Sequence, residues 1–261
     1  MRKKLRTPRQ TRFTLVELLV VIAILLILIS LLQPALKSAL KTGRQIVCMN
    51  TQKLFGAANA TYVDDFAGTN IPAWYWKPGG DKNDQSDRTA WFGNKSLWAY
   101  MQVKVLPGPE GNSGYYWEDK WMCPDSRSAN TTPAKPGFPL IMYSYAFNSK
   151  RLRIHQNGSG GYTWGNKPGP DGEDAIYLVS QVKRPSETCF MGESINPPGI
   201  YRSQRTYWPD YLKSGVIGDV GNMAYPHDWS VNTLFFDGSV KSIFFEEIAD
   251  TDNSIFWRPD Y

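Results

Sequence analysis

A chain of 261 residues with 42% hydrophobic and 20% charged residues can bury one sizeable core. All ten Trp lie after residue 70, so that core belongs to the C-terminal part. The net charge of +5 does not mark a nucleic-acid binder: Arg2, Lys3, Lys4, Arg6, Arg9 and Arg12 are concentrated in the first twelve residues, and elsewhere 23 bases face 24 acids.

Residues 1–12 form a basic leader. The apolar run "RFTLVELLVVIAILLILISLL" follows, with Glu17 its one carboxylate. From Leu15 to Leu32 it spans ~27 Å as a helix, close to the hydrocarbon thickness of a bilayer. We expect a transmembrane helix over 13–35, with the basic leader holding the N-terminus in the cytoplasm. The run is longer than a signal-peptide core, and "SLLQPALKSALKTG" continues as helix, which argues against cleavage after it.

The helix is expected to continue over 36–64. Leu36, Leu40, Val47, Thr51, Leu54, Ala58 and Tyr62 recur at helical spacing and define one face. Pro34 is expected to bend the helix, and "DDFAGTNIP" to end it. The remainder, 65–261, reads as a loop-rich α+β domain outside the cytoplasm. Its strands are expected at Met142–Phe147, Thr188–Gly192, Asn232–Phe236 and Val240–Phe244. Asp237-Gly238 lies between the last two, where a type I′ hairpin turn is expected.

Three cysteines then face an oxidising compartment. Cys48 and Cys123 are a candidate disulfide, whose ~75-residue loop contributes about 4 kcal/mol in the chain-entropy account. Spacing alone does not fix that pairing, and Cys189 reads as a buried thiol in an apolar strand. With only His155 and His227 in the chain, a His-rich zinc site is excluded. "ADTDNS" sets Asp250 and Asp252 at alternating positions, a candidate calcium loop. It lacks the Gly and final Glu of an EF-hand, so a polar turn is the preferred reading and no cofactor or metal is expected. The Gly/Pro-rich stretch 158–174 has no helix after its glycines and reads as a surface loop, not a phosphate cradle. Trp and Tyr at the density of "IPAWYWKPGG" and "GYYWEDKW" read as core, with a sugar-stacking surface as the alternative.

The segment Phe13-Thr14-Leu15-Val16-Glu17, the apolar helix and Pro34 resemble the N-terminus of type IV prepilins and type II secretion pseudopilins. "CMNTQKLFGAANATYVDDFAG", "WMCPDS", "YSYAFN" and "VKRPSETCFMGES" resemble later landmarks of a bacterial pseudopilin-like group. His227, nine residues and Asp237-Gly238 resemble the His-x9-Asp-Gly pattern of the same group. The resemblance implies a type IV pilin-like α+β fold: a long N-terminal helix on a small antiparallel sheet with long loops. It implies a structural subunit in the bacterial inner membrane, with its C-terminal domain periplasmic or in an extracellular filament. Its partners would be copies of itself, related pseudopilins and a prepilin peptidase. That peptidase would cut before Phe13 and methylate the new amine, and Glu17 would assist assembly. Arg12 departs from the small residue the family carries before the cut.

Two rival readings stay open. One is a membrane-anchored envelope protein that binds a glycan and never polymerises. The other is an anchored hydrolase using His227; no nucleophile elbow accompanies it, and no residue set supports enzymatic chemistry.

Overall fold

The computed structural model describes residues 14–76, 88–106, 116–125, 144–148, 152–156, 162–165, 178–194, 199–200, 202–206, 222–248 and 256. The leader with Arg12, Phe13, and Asp250 and Asp252 lie outside these residues. The chain divides into two compact units, Met1–Gly43 and Arg44–Tyr261.

Helix α1 runs without interruption over Leu15–Asp65, with Pro34 inside it. Its end follows the sequence signal. Ala67 and Gly68 take positive φ of 52° and 83°, and the Gly68 N–H closes the last turn on the Val63 carbonyl at 2.9 Å. In the first unit, the apolar side chains of α1 from Leu15 to Leu40 are exposed.

In the second unit the buried face of α1 is Cys48, Thr51, Gln52, Phe55, Ala58, Asn59 and Tyr62. This corrects the face expected from apolar spacing. Thr51, Ala58 and Tyr62 belong to it, but Leu36, Leu40, Val47 and Leu54 are exposed. The stripe is displaced because polar groups on it find specific partners. Gln52 Nε2 donates to the Asn232 carbonyl at 2.7 Å, and Asn59 Oδ1 accepts the Ile71 N–H at 2.9 Å. A hydrogen-bonded amide can be buried at little cost, and a purely apolar pattern does not register it.

After α1 come β1 (Trp74–Trp76), β2 (Arg88–Ala90), α2 (Lys95–Met101), β3 (Val105–Leu106), β4 (Tyr116–Trp117), β5 (Tyr145–Asn148), β6 (Leu152–Gln156) and β7 (Tyr162–Gly165). Then follow β8 (Cys189–Glu193), β9 (Gly199–Ile200), β10 (Arg202–Thr206), β11 (Asn222–Ala224), β12 (Ser230–Phe235) and β13 (Val240–Phe244). The central sheet has the order β13-β12-β8-β5-β9. It is antiparallel except at β9, a two-residue edge strand parallel to β5. Its four longer strands are the four expected, shifted by up to three residues at their ends. Short pairs β1/β2, β3/β4, β6/β7 and β10/β11 lie outside it.

Both faces of the sheet are covered, which is why β5 and β8 lack polar alternation. Tyr145, Phe147, Phe190 and Leu234 join Cys48, Phe55, Ala58 and Tyr62 of α1 in one core. Ala146, Cys189 and Val231 join Met223, Tyr225 and Ile248 in another. Phe55 sits amid aromatic rings, 5.5 Å from Trp91, 5.9 Å from Trp117, 5.8 Å from Tyr145 and 6.1 Å from Phe147. Trp91 and Trp117 are thus core residues, as their density suggested. Helix and sheet approach closely at Gly56, where a Cβ would lie 3.1 Å from Leu234 Cδ1.

The hairpin after β12 corrects the expected turn. Asp237 does not take positive φ; only Gly238 does, at 82°. Phe235 accepts the Gly238 N–H at 3.0 Å and donates to the Ser239 carbonyl at 2.9 Å. This is a three-residue loop with glycine in its left-handed position, and Asp237 Oδ1 braces it by accepting from Ser239 N and Oγ.

Replacing fully buried Phe55 by Ala is expected to cost about 3–5 kcal/mol, whereas exposed Leu54→Ala stays within about 0.5 kcal/mol. Chemical denaturation of the two full-length variants in detergent checks the contrast; equal effects would mean that the buried face is misplaced.

Candidate functional site

Two groups of residues stand out for their chemistry. The first opens α1. Glu17 Oε2 accepts from Thr14 N at 2.8 Å and from Thr14 Oγ at 2.8 Å, while Thr14 Oγ accepts the Glu17 N–H at 3.2 Å. Thr14-Leu15-Val16-Glu17 is therefore a capping box, which satisfies donors left open at a helix start. The signature is legible in the sequence, but attention to the lone charge in an apolar run passes over it.

The second group is buried inside the second unit and contains His227. Sequence reading takes His227 as a structural residue beside a strand and does not connect it to Glu193. The structure joins them: Nε2 of His227 donates to Glu193 Oε1 at 2.8 Å. Glu193 Oε1 also accepts from Cys48 Sγ, and Oε2 accepts the Asn232 N–H at 2.9 Å. Cys123 Sγ lies 3.6 Å from His227 Nε2, and Tyr145 donates its hydroxyl to Cys48 Sγ at 3.1 Å. One donor atom from each of Cys48, Cys123, Glu193 and His227 falls within 4.8 Å of the others.

Local structure explains each position. Cys48 lies on the buried face of α1, and Glu193 ends β8. The β12–β8 ladder pairs Thr233 with Gly192, and one step on the Glu193 carboxylate takes the Asn232 N–H. His227 precedes a tight turn at Asp228 and Trp229, with φ of 51° and 64°. His227 and Ser230 exchange backbone hydrogen bonds across it at 3.3 and 3.0 Å. Two successive left-handed residues between paired neighbours make a type I′ turn. The turn expected at Asp237-Gly238 thus occurs beside His227. Neither Asp228 nor Trp229 is glycine, so this geometry is held by its surroundings.

On the other side of the imidazole, His227 Nδ1 lies 2.9 Å from Asp125 Oδ2, a close polar contact not aligned as a full hydrogen bond. Asp125 is in turn held by Arg44 Nε at 2.6 Å. Burial disfavours the imidazolium, but the Glu193 charge and the close polar contacts with Asp125, Cys123 and Glu193 outweigh it and push the His227 pKa up to about 12. Burial, the Cys123 hydrogen bond and the Glu193 charge raise the Cys48 thiol well above its usual value. Burial opposes the Cys123 thiolate too, but hydrogen bonding from Cys48, with His227 adding to it against Glu193, holds that thiol below its usual value. The cluster therefore sets a thiol whose ionisation is suppressed beside one whose ionisation is eased.

Cys48 and Cys123 come together as the disulfide expectation requires, but both are free thiols in this structure. Cys189 is a free buried thiol in the other core, with its ionisation suppressed by burial. Asp237 and Gly238 do not join the cluster; they form the hairpin turn. The ten-residue spacing from His227 to Asp237 therefore spans two turns and the strand between them. Counting histidines excludes a His-rich metal site, but it does not weigh a mixed set of thiolates, carboxylate and one imidazole. Cys123 and His227 are 104 positions apart, and Cys48 and Glu193 145, so local spacing carries no sign of the set. Compared with protein-family models, curated proteins and solved structures, the chain shows no significant match in any of the three.

Removing one partner of a buried ion pair strands the other. Glu193→Ala is expected to cost about 3–5 kcal/mol, and Glu193→Ala with His227→Ala to cost less than the sum of the single changes by about 0.5–3 kcal/mol. Denaturant unfolding of the two single variants and the double variant measures the coupling; additive effects would mean that the pair does not interact.

Proposed function

We propose that this chain is a pseudopilin-like structural subunit, anchored in a bacterial inner membrane by residues 13–35 and able to polymerise through its apolar N-terminal helix. The N-terminus lies in the cytoplasm, and the second unit is periplasmic or in an extracellular filament of the type II secretion or type IV pilus kind. The observation that carries this reading is the start of α1, where an 18-residue window has mean hydropathy 3.2 and no residue of it is buried within the protein. A helix apolar on every face must be covered by lipid or by other helices. A filament subunit exchanges the first for the second.

Glu17 fits both conditions. Near the cytoplasmic end of the span, its carboxylate is bonded to Thr14, which lowers the cost of keeping it beside lipid. In a filament, the same carboxylate would meet the amine of a neighbour's Phe13, freed by the peptidase. Arg12 supports a second reading, a permanent anchor that never polymerises, because a large cation stands where the family has a small residue before the cut.

Glu17→Gln separates capping from charge, since the amide oxygen can still accept from Thr14. Membrane fractionation of this variant is expected to match the parent, while recovery of the subunit in assembled filaments falls. Unchanged assembly would leave Glu17 as a helix cap alone. Mass spectrometry of the mature N-terminus is expected to find methylated Phe13; a start at Met1 or Arg2 beside an active prepilin peptidase would overturn processing and favour the permanent anchor.

A further inference from the structure

We infer that Cys48, Cys123, Glu193 and His227 form a closed structural site for one thiolate-binding divalent cation, with zinc the best fit. The donors are two sulfurs, one carboxylate oxygen and His227 Nε2, all within 4.8 Å of one another and all from buried residues. Two soft thiolates with one imidazole and one carboxylate suit zinc and disfavour calcium or magnesium, which take oxygen donors. Tetrahedral bonds of about 2.0–2.3 Å give donor separations of roughly 3.3–3.8 Å. The distance from Cys123 Sγ to His227 Nε2 is 3.6 Å; the 2.8 Å between Nε2 and Glu193 Oε1 would open by about 0.5 Å on binding, and the shorter Cys48 Sγ–Glu193 Oε1 contact by more.

A second feature points the same way. Histidine ligands to metals are oriented through their other ring nitrogen, often by a carboxylate. Here His227 Nδ1 faces Asp125 at 2.9 Å, and Arg44 anchors Asp125 from behind. Glu193 is likewise oriented through Oε2 by the Asn232 N–H. Both hard ligands therefore have supporting partners on their outer side, with Nε2 and Oε1 turned toward the two sulfurs. A Cys48–Cys123 disulfide would use the sulfurs and leave this arrangement unexplained.

Binding would expel the proton on His227 Nε2 and those on the thiols, with the cation taking their place between the donors. Four protein ligands leave no open position, so the role is structural rather than catalytic. The site would tie α1, the Cys123 segment, the end of β8 and the turn before β12 at one point.

The test uses the reduced full-length chain in detergent, titrated with Co²⁺ alone and then with Zn²⁺. One equivalent of Co²⁺ per chain is expected, with thiolate charge-transfer absorption in the near ultraviolet that Zn²⁺ abolishes. Cys48→Ser and His227→Ala are expected to remove or shift that band. Asp125→Asn, which keeps all four ligands, is expected to weaken binding about 10–100-fold with circular dichroism unchanged. Cys189→Ala, outside the cluster, should keep the stoichiometry of one. Folded, reduced protein that binds no Co²⁺, an affinity for Co²⁺ unchanged by Asp125→Asn, or a Cys48–Cys123 disulfide in protein isolated from its membrane would each overturn the proposal.

Discussion

The carboxylate of Glu193 is the constraint on which the second unit turns. At 1% exposure it has given up water, and an uncompensated charge there would cost several kcal/mol. It is compensated from three directions: the Asn232 N–H extends the sheet ladder, the Cys48 thiol reaches in from α1, and the His227 imidazole arrives from the turn before β12. Each contact fixes a different element. The helix face, the β8–β12 register and the turn are therefore not independent choices, because shifting any one exposes the same buried charge.

That constraint explains features which look unrelated along the chain. The buried face of α1 starts at Cys48 rather than at the leucines before it, because Cys48 is where the helix meets Glu193. The Asp228-Trp229 turn adopts left-handed backbone without glycine, and this geometry delivers His227 to the carboxylate. Asp125 and Arg44 extend the network outward, so the imidazole is gripped at both nitrogens. Aromatic packing around Phe55 supplies the bulk of apolar burial next to it, and Gly56 lets the helix lie close against β12.

The fold was largely legible where physics is local. Four strands announced themselves as apolar, β-branched or aromatic runs, and Val240–Phe244 matches its expected bounds. The end of α1 was marked by Gly68, and the capping box by Thr14 and Glu17. The candidate site was legible only in pieces. Cys48 and Cys123 drew attention as a candidate disulfide and His227 by itself, whereas Glu193 did not, since nothing about "FMGES" distinguishes a buried glutamate from one at a solvated strand end. The hairpin was expected at the right place but in the wrong turn type, because Asp-Gly serves both two- and three-residue loops and only the ladder register selects between them.

The sequence by itself determined that this chain has an apolar helix long enough to cross a bilayer, a helical continuation beyond it and an α+β second part rich in buried aromatics. Those properties follow from periodicity, length and composition, which act over a few residues at a time. Only the tertiary structure decided which face of the helix is buried and that Cys48, Cys123, Glu193 and His227 meet. Their meeting depends on sheet order and register, through contacts between residues more than a hundred positions apart, and such contacts leave no periodic trace in the chain.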